Sequence, residues 1–188
     1  RQVRRSLAPG GLFIINEFVG PARFQWTGLQ MRLVNEVLAL LPERFRVSRL
    51  AGRPVSGLTC PTVEEMIRMD PTEAVRSDAI LPLLERNFRV VERRDYGGTI
   101  LHLLFNHILD NFDLMVPEEA ALVDLICWAE RALLRGKAIP SDFAFVVAAP
   151  PAGWRQRLDL ELSRIGVWRR FRASGIFKRL RNASNPGT

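Results

Sequence analysis

Apolar residues along this 188-residue chain follow two rhythms, and their alternation sets the expected fold. Residues 12–15 (LFII) form an unbroken apolar run between the Pro9-Gly10-Gly11 turn and the polar pair Asn16-Glu17. Such a run predicts a strand covered on both faces, hence central and parallel, ending where Gly20-Pro21 break the chain. Residues 88–96 alternate, are rich in Val and close on Gly97-Gly98, which predicts a second strand. A third, FAFVVAA at 143–149, stops at Pro150-Pro151. Between them the period lengthens. Leu29, Leu33, Val34, Val37, Leu38 and Leu41 recur every three or four residues up to Pro42, the pattern of an amphipathic helix. Thr62 and Glu65 form a capping box for a short helix ending near Asp70-Pro71. Ser77 is the expected cap of a helix carrying Ile80, Leu81, Leu83 and Leu84, in which Pro82 requires a late start or a bend. Further helices are expected over residues 99–112 and from Pro117 to near Gly136, Pro117 suiting a first helical turn. Strands interleaved with helices predict an α/β layer fold, without internal repeats.

Charge changes the picture at one end. The chain carries a net charge of +7. Residues 154–181 hold nine Lys or Arg against Asp159 and Glu161, so this segment accounts for the whole excess and the remainder is balanced. Trp154, Leu158, Leu162, Ile165, Trp168 and Phe171 fall at helical spacing among those arginines. The tail, residues 150–188, is therefore expected to be a basic amphipathic helix separate from a body at 1–149. Its candidate partners are an anionic membrane surface or another protein domain, while nucleic acid is disfavoured because no binding motif accompanies the charge. Glu73 and Arg76, three residues apart, read as a surface ion pair.

Other chemistry is excluded by spacing. Cys60 and Cys127 stand far apart with no CxxC or CxxH pattern, and His102 and His107 are five apart, so neither a disulfide framework nor a metal site is expected. No apolar run reaches the roughly 18 residues of a membrane span. The basic opening, RQVRRSLAPGG, lacks a signal-peptide cleavage site and starts at Arg1 rather than Met, which reads as a fragment or a processed, cytoplasmic chain. GGLFIIN and YGGT match neither GxGxxG nor a Walker loop, and no GxSxG elbow occurs.

LAPGGLFIINEFVG resembles the segment around the fifth strand of class I S-adenosylmethionine-dependent methyltransferases, where a PGG turn opens an apolar strand with a polar end. FRVVERRDYGG and PSDFAFVVA resemble that family's sixth and seventh strands, in the same order. The resemblance covers residues 1 to about 149 and implies the C-terminal half of a Rossmann-like methyltransferase sheet with helical insertions. It also implies that the seventh strand lies between the fifth and sixth, antiparallel to both, and that the fifth exposes an edge open to self-association. The family's glycine-rich cofactor loop and acidic second-strand end are not in this chain. The implied protein is a truncated methyltransferase acting, when complete, on a small or glycan-like acceptor with S-adenosylmethionine as cofactor, its N-terminal half lying elsewhere. The alternative is a non-catalytic α/β interaction module with a basic anchor.

Segments following the fifth and sixth strands emerge on the ligand side of such a sheet. On that side stand the candidate substrate contacts Asn16, Glu17, Arg23, Phe24, Trp26, Tyr96 and Asn106. Glu17, His102 and His107 are the candidate acid or base groups, and Asn16 is a candidate cofactor contact. Each has a plainer reading as a capping or core residue.

Overall fold

The computed structural model describes residues 2–153. Two units divide the chain, Arg1–Ala149 and Pro150–Thr188. The account that follows is of the first; the expected tail helix lies outside the described residues. In order come α1 (Gln2–Ser6), β1 (Phe13–Phe18), α2 (Gly28–Leu40), α3 (Val63–Met69), α4 (Ile80–Asn87), β2 (Arg89–Gly97), α5 (Leu101–Ile108), α6 (Pro117–Arg135) and β3 (Phe143–Ala149).

The three strands form one sheet in the order β1-β3-β2. β3 is antiparallel to both neighbours, with Ile15 opposite Val146 on one side and Arg93 opposite Val146 on the other. The outer strands therefore run parallel to each other. This is α/β architecture with a small antiparallel sheet, not the parallel order of a doubly wound domain.

β1 departs from expectation. Its unbroken apolar run predicted burial on both faces and a central, parallel position, yet β1 is an edge strand whose Ile14 is 56% exposed. Pleating explains this: Phe13 and Ile15 point to the side where α4 packs with Ala144, Val146 and Ala148, while Ile14 points to the other face. Hydrophobicity recorded what the strand could bury, not how many layers cover it.

Two cores result. One joins β3 to α4 through Leu84; the other is helical, built from Val34 and Leu38 of α2, Leu104 and Ile108 of α5, and Ile126 of α6. The second core makes the segments between strands into a structured cap. Its helices begin at identifiable signals. Thr27 Oγ1 accepts from the Gln30 N–H and Gln30 Oε1 accepts from the Thr27 N–H, a capping box that starts α2. Thr62 and Glu65 do the same for α3, as the sequence indicates. The expected cap for α4 does not form: Ser77 is buried and donates to the Gly20 carbonyl at 2.9 Å, and α4 starts at Ile80 instead. That late start leaves Pro82 in the first turn, where its missing N–H costs no helical bond. The helix expected over 99–112 is shorter, with a 3₁₀ turn at Leu109–Asn111 following α5.

The start of α5 is fixed from outside. Glu130 of α6, 1% exposed, accepts from the Gly98 N–H at 2.8 Å, the Ile100 N–H at 2.6 Å and the Leu101 N–H at 2.9 Å. A buried carboxylate thus replaces the usual Ser or Asp cap and satisfies orphan donors of the first turn. The chain reaches this geometry through Gly97 and Gly98, at φ 100° and 83°, where a Cβ would strike Glu130 and Phe143 respectively.

Candidate functional site

Where β1 and β2 end and β3 begins, the helical cap leaves a cavity of about 610 Å³. Its volume is in the range of small-molecule sites. The segments that follow β1 and β2 build its walls. Phe24 and Trp26 come from the first, and His102, Asn106 and His107 from α5. Five of the sequence candidates therefore converge, the last three because positions 102, 106 and 107 lie within one and a half turns of a single helix.

Phe24 is held by a costly backbone. Arg23 and Phe24 are consecutive left-handed residues, at φ 55° and 53°, neither of them glycine. Strain of about 1 kcal/mol or more at each persists only where surrounding bonds over-determine the conformation. Here they do. The Arg23 N–H donates to the Ala74 carbonyl at 2.6 Å, and its guanidinium Nη1 donates to the Glu73 carbonyl at 3.1 Å and the Asp70 carbonyl at 3.4 Å. Gln25 Nε2 donates to the Pro61 carbonyl at 2.9 Å, and Cys60 Sγ to the Phe24 carbonyl at 3.3 Å. The result stacks Phe24 on Trp26, with centroids 5.2 Å apart and planes within 8°. Across the cavity, Asn35 of α2 pins the wall segment by exchanging two hydrogen bonds with the Leu58 backbone.

His102 sits among aromatic rings, with centroid distances of 5.3 Å to Phe143, 5.7 Å to Phe24 and 6.1 Å to Phe18. Burial there pushes its pKa below the ordinary histidine value, with the Glu73 carboxylate opposing and His107 adding to the shift. His107 is lowered too, by burial first and by Arg49 second. Both imidazoles are neutral at pH 7 and able to accept a proton. His102 Nδ1 and Trp26 Nε1 are buried and have no hydrogen-bond partner among the described residues.

The other sequence candidates stand elsewhere. Asn16 does not end β1, which continues to Phe18; its Oδ1 accepts from the Tyr96 hydroxyl at 2.7 Å, on the sheet face away from α4. Tyr96 belongs to β2, stacks on Phe143 and is 52% exposed. Glu17 lines a separate hollow of about 360 Å³ beside Thr72, Val75 and Arg76. Arg23 holds the loop rather than lining the cavity. Glu73 forms no ion pair with Arg76; it lies in the wall shared by the two hollows.

Sequence reading missed Asp70 and Glu73, the carboxylates of the cavity, and its apolar lining from Leu58, Met66, Met69 and Leu103. No spacing marks them, because loop segments and two separate helices, α3 and α5, bring them together. Among the described residues, no cluster of His, Cys, Asp or Glu has a metal-binding arrangement, and no helix is long and apolar enough to cross a membrane. Comparison of the chain with protein-family models, curated proteins and solved structures finds no match in any of the three.

Proposed function

We propose that this chain forms the acceptor-binding part of an S-adenosylmethionine-dependent methyltransferase. One observation carries the reading: an antiparallel β3 lies between two mutually parallel strands, and a cavity is built at their carboxyl ends from the segments that follow them. That is the arrangement implied by the resemblance of the three strand segments to the fifth, seventh and sixth strands of the family, and ligands of open α/β sheets bind at that end. Within the cavity, His102 serves as the proton acceptor for the bound molecule, its neutral imidazole poised by burial. Phe24 and Trp26 orient the acceptor and exclude water from it.

The residues present do not fit the cofactor. The double glycine at the end of β2, Gly97-Gly98, has its Cβ space filled by Glu130 and Phe143, so it is a packing turn rather than a cradle for a nucleoside. The reading therefore requires the cofactor half to come from outside residues 1–188. A second reading, a non-catalytic binding module, draws on the same contrast between a built cavity and a missing cradle.

One experiment separates the two. The gene is expressed together with the sequence encoded upstream of residue 1, and transfer of a radiolabelled methyl group from S-adenosylmethionine to small-molecule extracts is measured. Transfer that the H102A substitution reduces at least tenfold supports the first reading. An extended protein that neither binds S-adenosylmethionine nor transfers its methyl group overturns it and leaves the binding module.

A further inference from the structure

The cavity has a charge character that its protein does not. Among the described residues no Lys or Arg lines the cavity, while Asp70 and Glu73 do. Among the described residues neither carboxylate takes part in an ion pair. Two cations stand behind the wall without lining it. Arg23 is engaged on the Asp70 and Glu73 carbonyls, and the Arg49 guanidinium pairs with Asp110 at 3.9 Å. The rest of the lining is mainly apolar, and at its margin Leu50 and Met69 are 76% and 75% exposed.

We propose that the cavity binds a small apolar molecule bearing an amine that is cationic at neutral pH, and discriminates against phosphates, carboxylates and glycans. An ammonium group gains from the two carboxylates, of which Asp70 also accepts from the Thr72 N–H and hydroxyl, and from the faces of the stacked Phe24–Trp26 pair, because aromatic faces attract cations. An anion would meet two carboxylates and, among the described residues, no lining cation. A glycan needs partners for many hydroxyl groups, and beyond the two carboxylates and two imidazoles this lining offers only Thr59 and Asn106. The exposed Leu50 and Met69 extend the apolar surface to the entrance, which favours a ring or short chain carrying the amine. The histidines do not oppose a cation, since burial keeps both uncharged. This proposal rests on the reading of the cavity as an acceptor site, but its test reads binding and not transfer.

The test uses calorimetry on the full chain with three matched probes, 2-naphthylethylammonium, 2-naphthylethanol and 2-naphthylacetate, and with maltotriose as the glycan. The ammonium is expected to bind about tenfold or more tighter than the acetate, with the alcohol between them and no binding of maltotriose. Glu73→Gln should reduce the ammonium to near the affinity of the alcohol while leaving the alcohol unchanged, which shows that the fold is intact. Trp26→Ala should weaken all three ring probes. The proposal is overturned if the acetate binds as tightly as the ammonium, if Glu73→Gln leaves the preference in place, if maltotriose binds, or if no ring probe binds at millimolar concentration. Amine binding without methyl transfer in the extended protein removes only the methyltransferase reading; transfer to acceptors with no preference for amines removes only this one.

Discussion

The imidazole of His102 meets the ring of Phe24 edge-on, with centroids 5.7 Å apart and planes at 67°. The contact joins the segment after β1 to the helix after β2. It also ties a buried imidazole to a residue whose left-handed backbone places its ring there. His102 should therefore titrate below the usual histidine range, with burial as the cause and Phe24 as part of it. Its folded pKa lies below the unfolded value, so its contribution to stability is present at pH 7 and is lost as pH falls through the range below about 6.5. Carbon-13 NMR of the imidazole, assigned with a His107→Asn variant, is expected to give a midpoint under 6.5. Phe24→Ala should admit water and move that midpoint upward; a His102 midpoint at or above 6.5 in the native chain would refute the assignment.

Glu130 supports the same helix from below. Replacing it with Ala leaves the Gly98, Ile100 and Leu101 N–H groups without their acceptor in a buried site, a loss of about 3 kcal/mol or more in urea unfolding. Glu130→Gln keeps an acceptor oxygen and should cost about half as much. A loss under about 1 kcal/mol for Glu130→Ala would mean that α5 starts without this carboxylate.

Asp142 gives the fold a pH dependence of opposite sign to that of most carboxylates. The residue is 1% exposed; Oδ2 accepts from Gln30 Nε2 at 2.9 Å, and Oδ1 has no partner among the described residues. Burial raises its pKa from 3.8 to about 6, against the lowering effect of Gln30 and with help from Glu130. A raised carboxyl pKa means that the folded state holds the proton more tightly, so its stability contribution is present in acid and declines as pH rises from about 4 through 6. The difference between the native chain and Asp142→Asn should change by at most about 3 kcal/mol across that interval, with Asn the more stable partner at pH 7. Parallel stability curves for the two proteins would contradict the assignment.

The outer edge of β1 has no strand beside it among the described residues, and Leu12 and Ile14 are 50% and 56% exposed along it. Such an edge recruits partners. Sedimentation velocity should show concentration-dependent self-association that Ile14→Lys weakens severalfold, since a charge on an edge strand opposes pairing. Unchanged association in that variant would place the contact elsewhere.

Much of the fold was legible. All three strands, the capping box at Thr62 and Glu65, the helix opened by Pro117 and the break at Pro150-Pro151 rest on local periodicity and backbone constraints, which act within a few residues. Burial was less legible. The run Leu12 to Ile15 reads as two-sided because hydropathy states a preference, whereas exposure depends on which layers exist. The expected cap at Ser77 failed for a similar reason: its hydroxyl found a carbonyl 57 positions earlier, at Gly20.

For the candidate site the division is sharper. Sequence placed Phe24, Trp26, His102, Asn106 and His107 near the ends of strands, because the strands and the segments leaving them could be read in order. It could not separate these five from Asn16, Glu17, Arg23 and Tyr96, which share the same stretches but point to the sheet face, to a neighbouring hollow or into the loop. Nor could it bring Asp70 and Glu73 to the cavity or pair Glu130 with a helix 30 residues away. Local spacing decides which elements form, since helix and strand periods are properties of a short chain segment. Which side chains meet, which charges go unpaired and which imidazole loses its proton are decided only when distant segments pack and water is excluded between them.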